Sequence, residues 1–197
     1  MKKENPYDSN PLWYSRGYLP HFDGGEIIQF ITFRLGDSLP KKVLDKWKRA
    51  LDQEIISEIE YRRKIDKYLD KSHGACYLDD IRIAKMVEEN LFHYDGKKYK
   101  LIAYVLMPNH VHILIRPIAD NSLASIMHGI KSYSAHEANK ILGRTGKFWS
   151  REYFDRFMRD YEHFTKTIDY IHNNPVKAGL CRKFEEWRFS SAYKRKR

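Results

Sequence analysis

Cysteine is almost absent. Cys76 and Cys181 are the chain's two, far apart in sequence, and fit neither a zinc-ligand spacing nor a disulfide framework. No stretch approaches the ~20 consecutive apolar residues a membrane helix needs, which excludes a transmembrane reading. The opening segment MKKENPYDSNPLWY lacks the apolar core of a secretory signal, so a cytoplasmic protein is expected. No internal repeat or domain-separating linker interrupts the chain, and low complexity is confined to Lys194-Arg195-Lys196-Arg197, within a basic tail over residues 190–197. Acidic residues are in short supply: 26 stand against 36 lysines and arginines, a net charge of +10. An excess of this size in a small chain points to a polyanionic partner, nucleic acid ahead of membrane.

The 197 residues, 42% of them apolar, suit one domain with its own core over 1–197. Residues 1–25, with three prolines and a Gly-Gly pair, read as an extended arm. EIIQFITFRL (26–35) reads as a buried strand. From Pro40 a long helical pattern runs through Leu44, Trp47, Leu51, Ile55, Ile59, Ile65 and Leu69. A second helix, capped by Asp79 or Asp80, carries Ile83, Val87 and Leu91 to the Asp95-Gly96 turn. Two strands follow, 98–106 and 110–117, joined at Met107-Pro108-Asn109. A helix capped by Asn121 or Ser122 runs to Gly143, a strand covers 151–158, and Asp160 caps a last helix that Pro175 terminates near Asn173. The order predicts an α+β fold: a ferredoxin-like βαββαβ antiparallel sheet, with a helical insertion at 41–95 and an extra C-terminal helix.

The chemistry gathers in two places. His110 and His112 lie two apart on a strand, so both imidazoles project from one face while Val111 enters the other layer. Such a pair is half of a metal site; two histidines hydrogen-bonded to their neighbours are the plain alternative. On the last helix the apolar stripe is Tyr161, Phe164, Ile168 and Ile171. Tyr170 lies off its middle, beside His163, Lys166 and Asn174, aimed at a polar surface; an ordinary surface tyrosine is the other reading. Asn174 falls four residues after Tyr170 and can offer a carboxamide oxygen, or can serve as a helix C-cap before Pro175. Together these groups suit phosphodiester transfer: a tyrosine nucleophile, and a cation that neutralises charge developing on phosphorus. Two imidazoles with an otherwise oxygen-rich shell suit Mg²⁺ or Mn²⁺.

MPNHVHILIRP resembles the HUH motif of the small single-strand transposases, and DYIHNNPVKAGL resembles the nucleophile helix of the REP-associated tyrosine transposases. WYSRGYLPHFD, IIQFITFRL, GKFWSREYFDRFMRD and WRFSSAY fit the same family, so the likeness covers most of the chain; 41–95 is its least diagnostic part. The resemblance implies a ferredoxin-like catalytic domain in which His110, His112 and Asn174 hold a divalent metal. It implies Tyr170 as the catalytic residue that cleaves single-stranded or hairpin DNA from palindromic repeats, through a 5′-phosphotyrosine. The active unit would be a monomer or a homodimer, and the enzyme nucleoid-associated.

Arg16, His21, Arg34, Lys131, Lys147, Trp149, Arg151 and Arg156 are candidate DNA contacts, and Lys166 a candidate stabiliser of the tyrosinate or phosphate. Solvated charge, or core packing for Trp149, is the alternative for each. Two rival functions stand beside cleavage and joining: an HUH replication initiator or relaxase, and a domesticated protein that grips hairpins without cutting. A small hydrolase unrelated to DNA ranks last, because no H-E-x-x-H spacing is present.

Overall fold

Alternation along one strand organises the whole molecule. The computed structural model describes residues 13–15 and 20–194. Its elements are β1 (Trp13–Ser15), β2 (Pro20–Phe22), β3 (Gln29–Leu35), α1 (Lys41–Asp52), α2 (Glu58–Leu69), α3 (Ile81–Tyr94), β4 (Tyr99–Leu106), β5 (His110–Pro117), α4 (Leu123–Ile141), β6 (Trp149–Phe157) and α5 (Tyr161–Lys177). Strands β4-β5-β3-β6 form one antiparallel sheet, and β1 pairs with β2 in a second, two-stranded one. The crossover from β3 through α3 to β4 leaves room for β5 between them, as the ferredoxin-like order requires.

In β3, Ile31, Phe33 and Leu35 point to one face and Phe30, Thr32 and Arg34 to the other. The first set joins Val111, Ile113 and Ile115 under α3 and α4, in the main core with Val87, Leu91, Ile126 and Ile130. The second set shares its face with Leu114, Ala103 and Val105, and α5 covers it through Ile171. That second face carries the chemistry. The edge of β4 is not left bare either. Residues 187–191 lie along it, with Leu106 N–H donating to the Phe189 carbonyl at 2.8 Å and Trp187 Nε1 to the Leu106 carbonyl at 2.8 Å.

Helix caps follow the expected chemistry: Asp80, Ser122 and Asp160 accept from Arg82, Ser125 and His163 backbone N–H groups. Two boundaries differ from expectation. The long helical pattern after Pro40 is two helices, because Ser57 and Glu60 form a capping box that starts α2 afresh, and Glu54 turns the chain with φ 57°. The last helix does not stop before Pro175. It continues to Lys177, and Ala178 N–H donates to the Asn174 carbonyl at 3.0 Å. Proline forfeits one hydrogen bond there, but Ile171, Asn174 and Pro175 are all buried on the sheet, and packing holds the turn helical.

Candidate active site

The turn at Met107-Pro108-Asn109 delivers His110 to the first position of β5, and alternation brings His112 to the same face, under α5. Both side chains are buried. Each imidazole has its Nδ1 occupied, His110 by Asn109 Oδ1 at 2.7 Å and His112 by Thr32 Oγ1 at 2.8 Å. The two Nε2 atoms are thereby turned toward each other, 3.1 Å apart. Burial, with Lys177 adding a smaller effect, pulls the His110 pKa down to about 3. Burial, then His110, then Lys177 hold His112 well below its ordinary value. Both rings are therefore neutral at physiological pH, the state in which imidazole ligates a metal.

α5 lays Thr167, Ile171 and Asn174 against the sheet, and this brings Tyr170 over β3 and β5. Its ring meets Phe30 edge-on at 5.8 Å and His112 at 5.4 Å between centroids. Tyr170 Oη is buried without a hydrogen bond of good geometry, and the Asn174 and Asp66 side chains are near it. Burial first, then the charges of Asp66 and Asp70, push the phenol far above its ordinary pKa, with Asn174 acting in the opposite direction. Asn174 Nδ2 lies 3.3 Å from His112 Nε2, while its Oδ1 is buried and unbonded.

These donors fit a divalent cation. Two neutral imidazoles, oriented by partners on their far nitrogens, present lone pairs at close range, and a buried carboxamide oxygen beside them lacks a donor. No cluster of three His, Cys, Asp or Glu forms among the described residues, so a third protein donor beside the two imidazoles would have to be the Asn174 amide.

The other sequence candidates scatter. Lys166 is exposed and paired with Glu162 at 2.5 Å. Lys177, seven residues after Tyr170, stands beside it instead, with Nζ 5.6 Å from the tyrosine ring centre and 2.9 Å from Asp70. The i, i+7 spacing could have signalled it. His21 is no surface contact: it is fully buried and hydrogen-bonded to Asp155, with Glu152 3.5 Å from its other nitrogen. Trp149 is also interior, packed on Phe33 and donating Nε1–H to Ser134 at 2.9 Å, because it opens the strand on the α3–α4 side of the sheet. Arg34 and Arg156 do share the chemical face with the histidines, Arg34 directly opposite His110 and Arg156 opposite Phe30. Lys147 and Arg151 are exposed, and Lys131 donates to the Arg151 carbonyl at 2.7 Å. Arg16 lies outside the described residues.

Asp66 escaped the sequence reading altogether. It comes from α2, more than a hundred residues before the tyrosine, and no local spacing links the two. Its charge acts on Tyr170, and burial followed by Asp70 raises its own pKa to about 6, against Lys177, Arg156 and Arg62.

A family model described as "Transposase IS200 like" matches residues 54–174, more than half of the chain. The chain is 25% identical over 134 residues to a Haemophilus influenzae protein provisionally assigned as a REP-associated tyrosine transposase, covering 63% of this chain and 73% of that one. It is 30% identical over 99 residues to the REP-associated tyrosine transposase of Escherichia coli K12, covering 50% of this chain and 57% of the relative. A solved REP-associated tyrosine transposase, bound to a REP hairpin, superposes with a TM-score of 0.53 at 17% identity, over 90% of this chain and 81% of that one; at that identity the likeness speaks for the fold.

Proposed function

The chain belongs to the IS200-like transposase family, and from that premise we propose that it is a metal-dependent single-strand DNA endonuclease and strand transferase that acts on hairpin-forming repeat DNA through Tyr170. One observation carries the reading: His110 and His112 Nε2 face each other at 3.1 Å in a buried spot, Asn174 lies against His112 with its Oδ1 unbonded, and the Tyr170 ring packs on His112. The hairpin enters from the relatives, one a REP-associated tyrosine transposase and one solved with a REP hairpin, and this chain's net charge of +10 suits such a polyanion.

In the proposed reaction His110, His112 and Asn174 would hold Mg²⁺ or Mn²⁺, which would supply charge neutralisation at the reacting phosphate and favour ionisation of the phenol. Tyr170 Oη forms a bond to phosphorus as it loses its proton, and the bond from phosphorus to the 3′ oxygen breaks, that oxygen taking up a proton. The product is a 5′-phosphotyrosine and a free 3′-OH, and the reverse reaction joins strands. Thr32 and Asn109 hold the imidazoles in their ligating tautomer. Lys177 faces the tyrosine and opposes the negative charge that gathers there, the part the sequence reading gave to Lys166. No described helix is long and apolar enough to cross a membrane.

The test mixes the protein with labelled hairpin DNA from its own genomic neighbourhood and Mg²⁺ or Mn²⁺. A covalent adduct on Tyr170 is expected on denaturing gels and by mass spectrometry, absent in Tyr170→Phe and with EDTA. Tight binding with no adduct across metals and several hairpins would overturn the enzyme and leave a hairpin-binding protein.

A further inference from the structure

Beside the catalytic cluster, a cavity of about 310 Å³ opens between the α1–α2 hairpin and the sheet, lined by β3 and β6. That is within the size range of small-ligand sites. Its floor is apolar and aromatic, including Leu44, Tyr61, Ile65 and Phe154; Arg34 and Lys147 stand around it, with Arg151 near the carboxylate of Glu152. The cavity shares walls with the active site. Thr32, which holds His112, lines it, as does Asp66, whose charge acts on Tyr170. Phe154, another wall, meets Phe30, and Phe30 in turn stacks on His112.

Arg34 is the telling residue. It is partly buried and directly opposite His110 in the sheet. Its guanidinium makes two long contacts, 3.4 Å to the Leu35 carbonyl and 3.4 Å to Ser38 Oγ, and no carboxylate pairs with it among the described residues. A buried cation without an acid is costly unless a ligand brings the anion. An apolar, aromatic slot with such a cation at its inner edge matches the two halves of a nucleotide: a flat base to stack and a phosphate to hold.

We propose that this cavity receives one unpaired nucleotide of the DNA strand, next to the phosphate at the histidines, with its base between Leu44, Tyr61, Ile65 and Phe154 and a phosphate on Arg34. On this inference, which rests on the DNA-cleaving function proposed above, the α1–α2 hairpin is a substrate-binding lobe. It supplies one wall of the slot and the sheet supplies the other, so the strand is fixed in register where Tyr170 must meet it.

The test is a binding cycle. A hairpin oligonucleotide with single-stranded flanks is made intact and with an abasic site at each flank position in turn. Affinities are measured by fluorescence anisotropy for the wild-type protein and for Leu44→Trp, whose indole fills the slot. One abasic position should weaken wild-type binding about tenfold, about 1.4 kcal/mol, and weaken Leu44→Trp binding less than about twofold. Equal penalties in the two proteins at every position would overturn the inference. Should Leu44→Trp fail to melt cooperatively, Arg34→Gln serves: the slope of log affinity against log salt should fall by about one phosphate contact, and an unchanged slope overturns the proposal. Affinity does not depend on cleavage, so the two ideas fail separately. An adduct at Tyr170 with equal abasic penalties removes the slot alone, whereas a coupled penalty without any adduct removes the cleavage alone.

Discussion

Thr32 Oγ1 lies 2.8 Å from His112 Nδ1, across the β3–β5 pairing that sets the two residues directly opposite each other. A hydroxyl from a neighbouring strand thus occupies Nδ1 and leaves Nε2 facing His110. Thr32→Val keeps the shape and removes the hydrogen bond. Its affinity for Mn²⁺ should fall by about 10- to 100-fold, read by titration with electron paramagnetic resonance, and saturating metal should restore most of the adduct rate. Unchanged affinity would show that Thr32 does not orient the ring.

Lys177 and Lys166 offer a paired comparison on one helix. Lys177→Met should slow single-turnover adduct formation by about a hundredfold, the lower end of what losing one transition-state charge partner costs. Lys166→Met removes an exposed pair with Glu162 and should change the rate by less than about twofold. The opposite ranking would return the role to Lys166.

The Asp66 carboxyl, raised by burial to about 6, couples folding to pH. Its folded pKa exceeds the unfolded value of about 3.9, so the folded state prefers the protonated acid. The stability this contributes is fully present below about pH 4 and is lost as pH rises toward 6, by at most about 3 kcal/mol. Asp66→Asn carries no such charge. In urea melts across pH 4 to 8, its stability relative to wild type should therefore increase as pH rises, and a gap that stays constant would contradict the buried acid.

His21 distinguishes packing from DNA contact. His21→Leu leaves Asp155 buried with the Phe22 N–H at 2.9 Å as its remaining donor among the bonds described. The protein should lose about 3–5 kcal/mol of stability, while the salt dependence of hairpin binding stays unchanged. A shallower salt slope would mean that His21 reaches phosphate after all.

How far the sequence could be read follows the range of each interaction. The two β5 histidines were legible because alternation along a strand is local, and so were the caps Asp80, Ser122 and Asp160. The restart at Ser57 was legible in principle, since a serine followed three residues later by glutamate is a local signal, but the apolar periodicity ran over it. Tyr170 is legible from its helix, as is its place beside Asn174. On the helix it lies at the flank of the apolar stripe; in the fold that flank packs on the sheet beside Phe30 and His112, where the histidines interrupt a largely apolar face.

Sequence by itself determined the fold class, the strand that carries the histidines and the helix that carries the tyrosine, since each depends on spacing within one element. Tertiary structure decided which groups meet: Thr32 with His112, Asp66 and Lys177 with Tyr170, Arg34 opposite His110. It also withdrew His21 and Trp149 into the interior. Apart from Lys177 and Tyr170, seven residues apart on one helix, those contacts join residues tens to more than a hundred positions apart. Their geometry is set by sheet register and helix docking, which the free energy of the whole core selects and no local pattern of residues encodes.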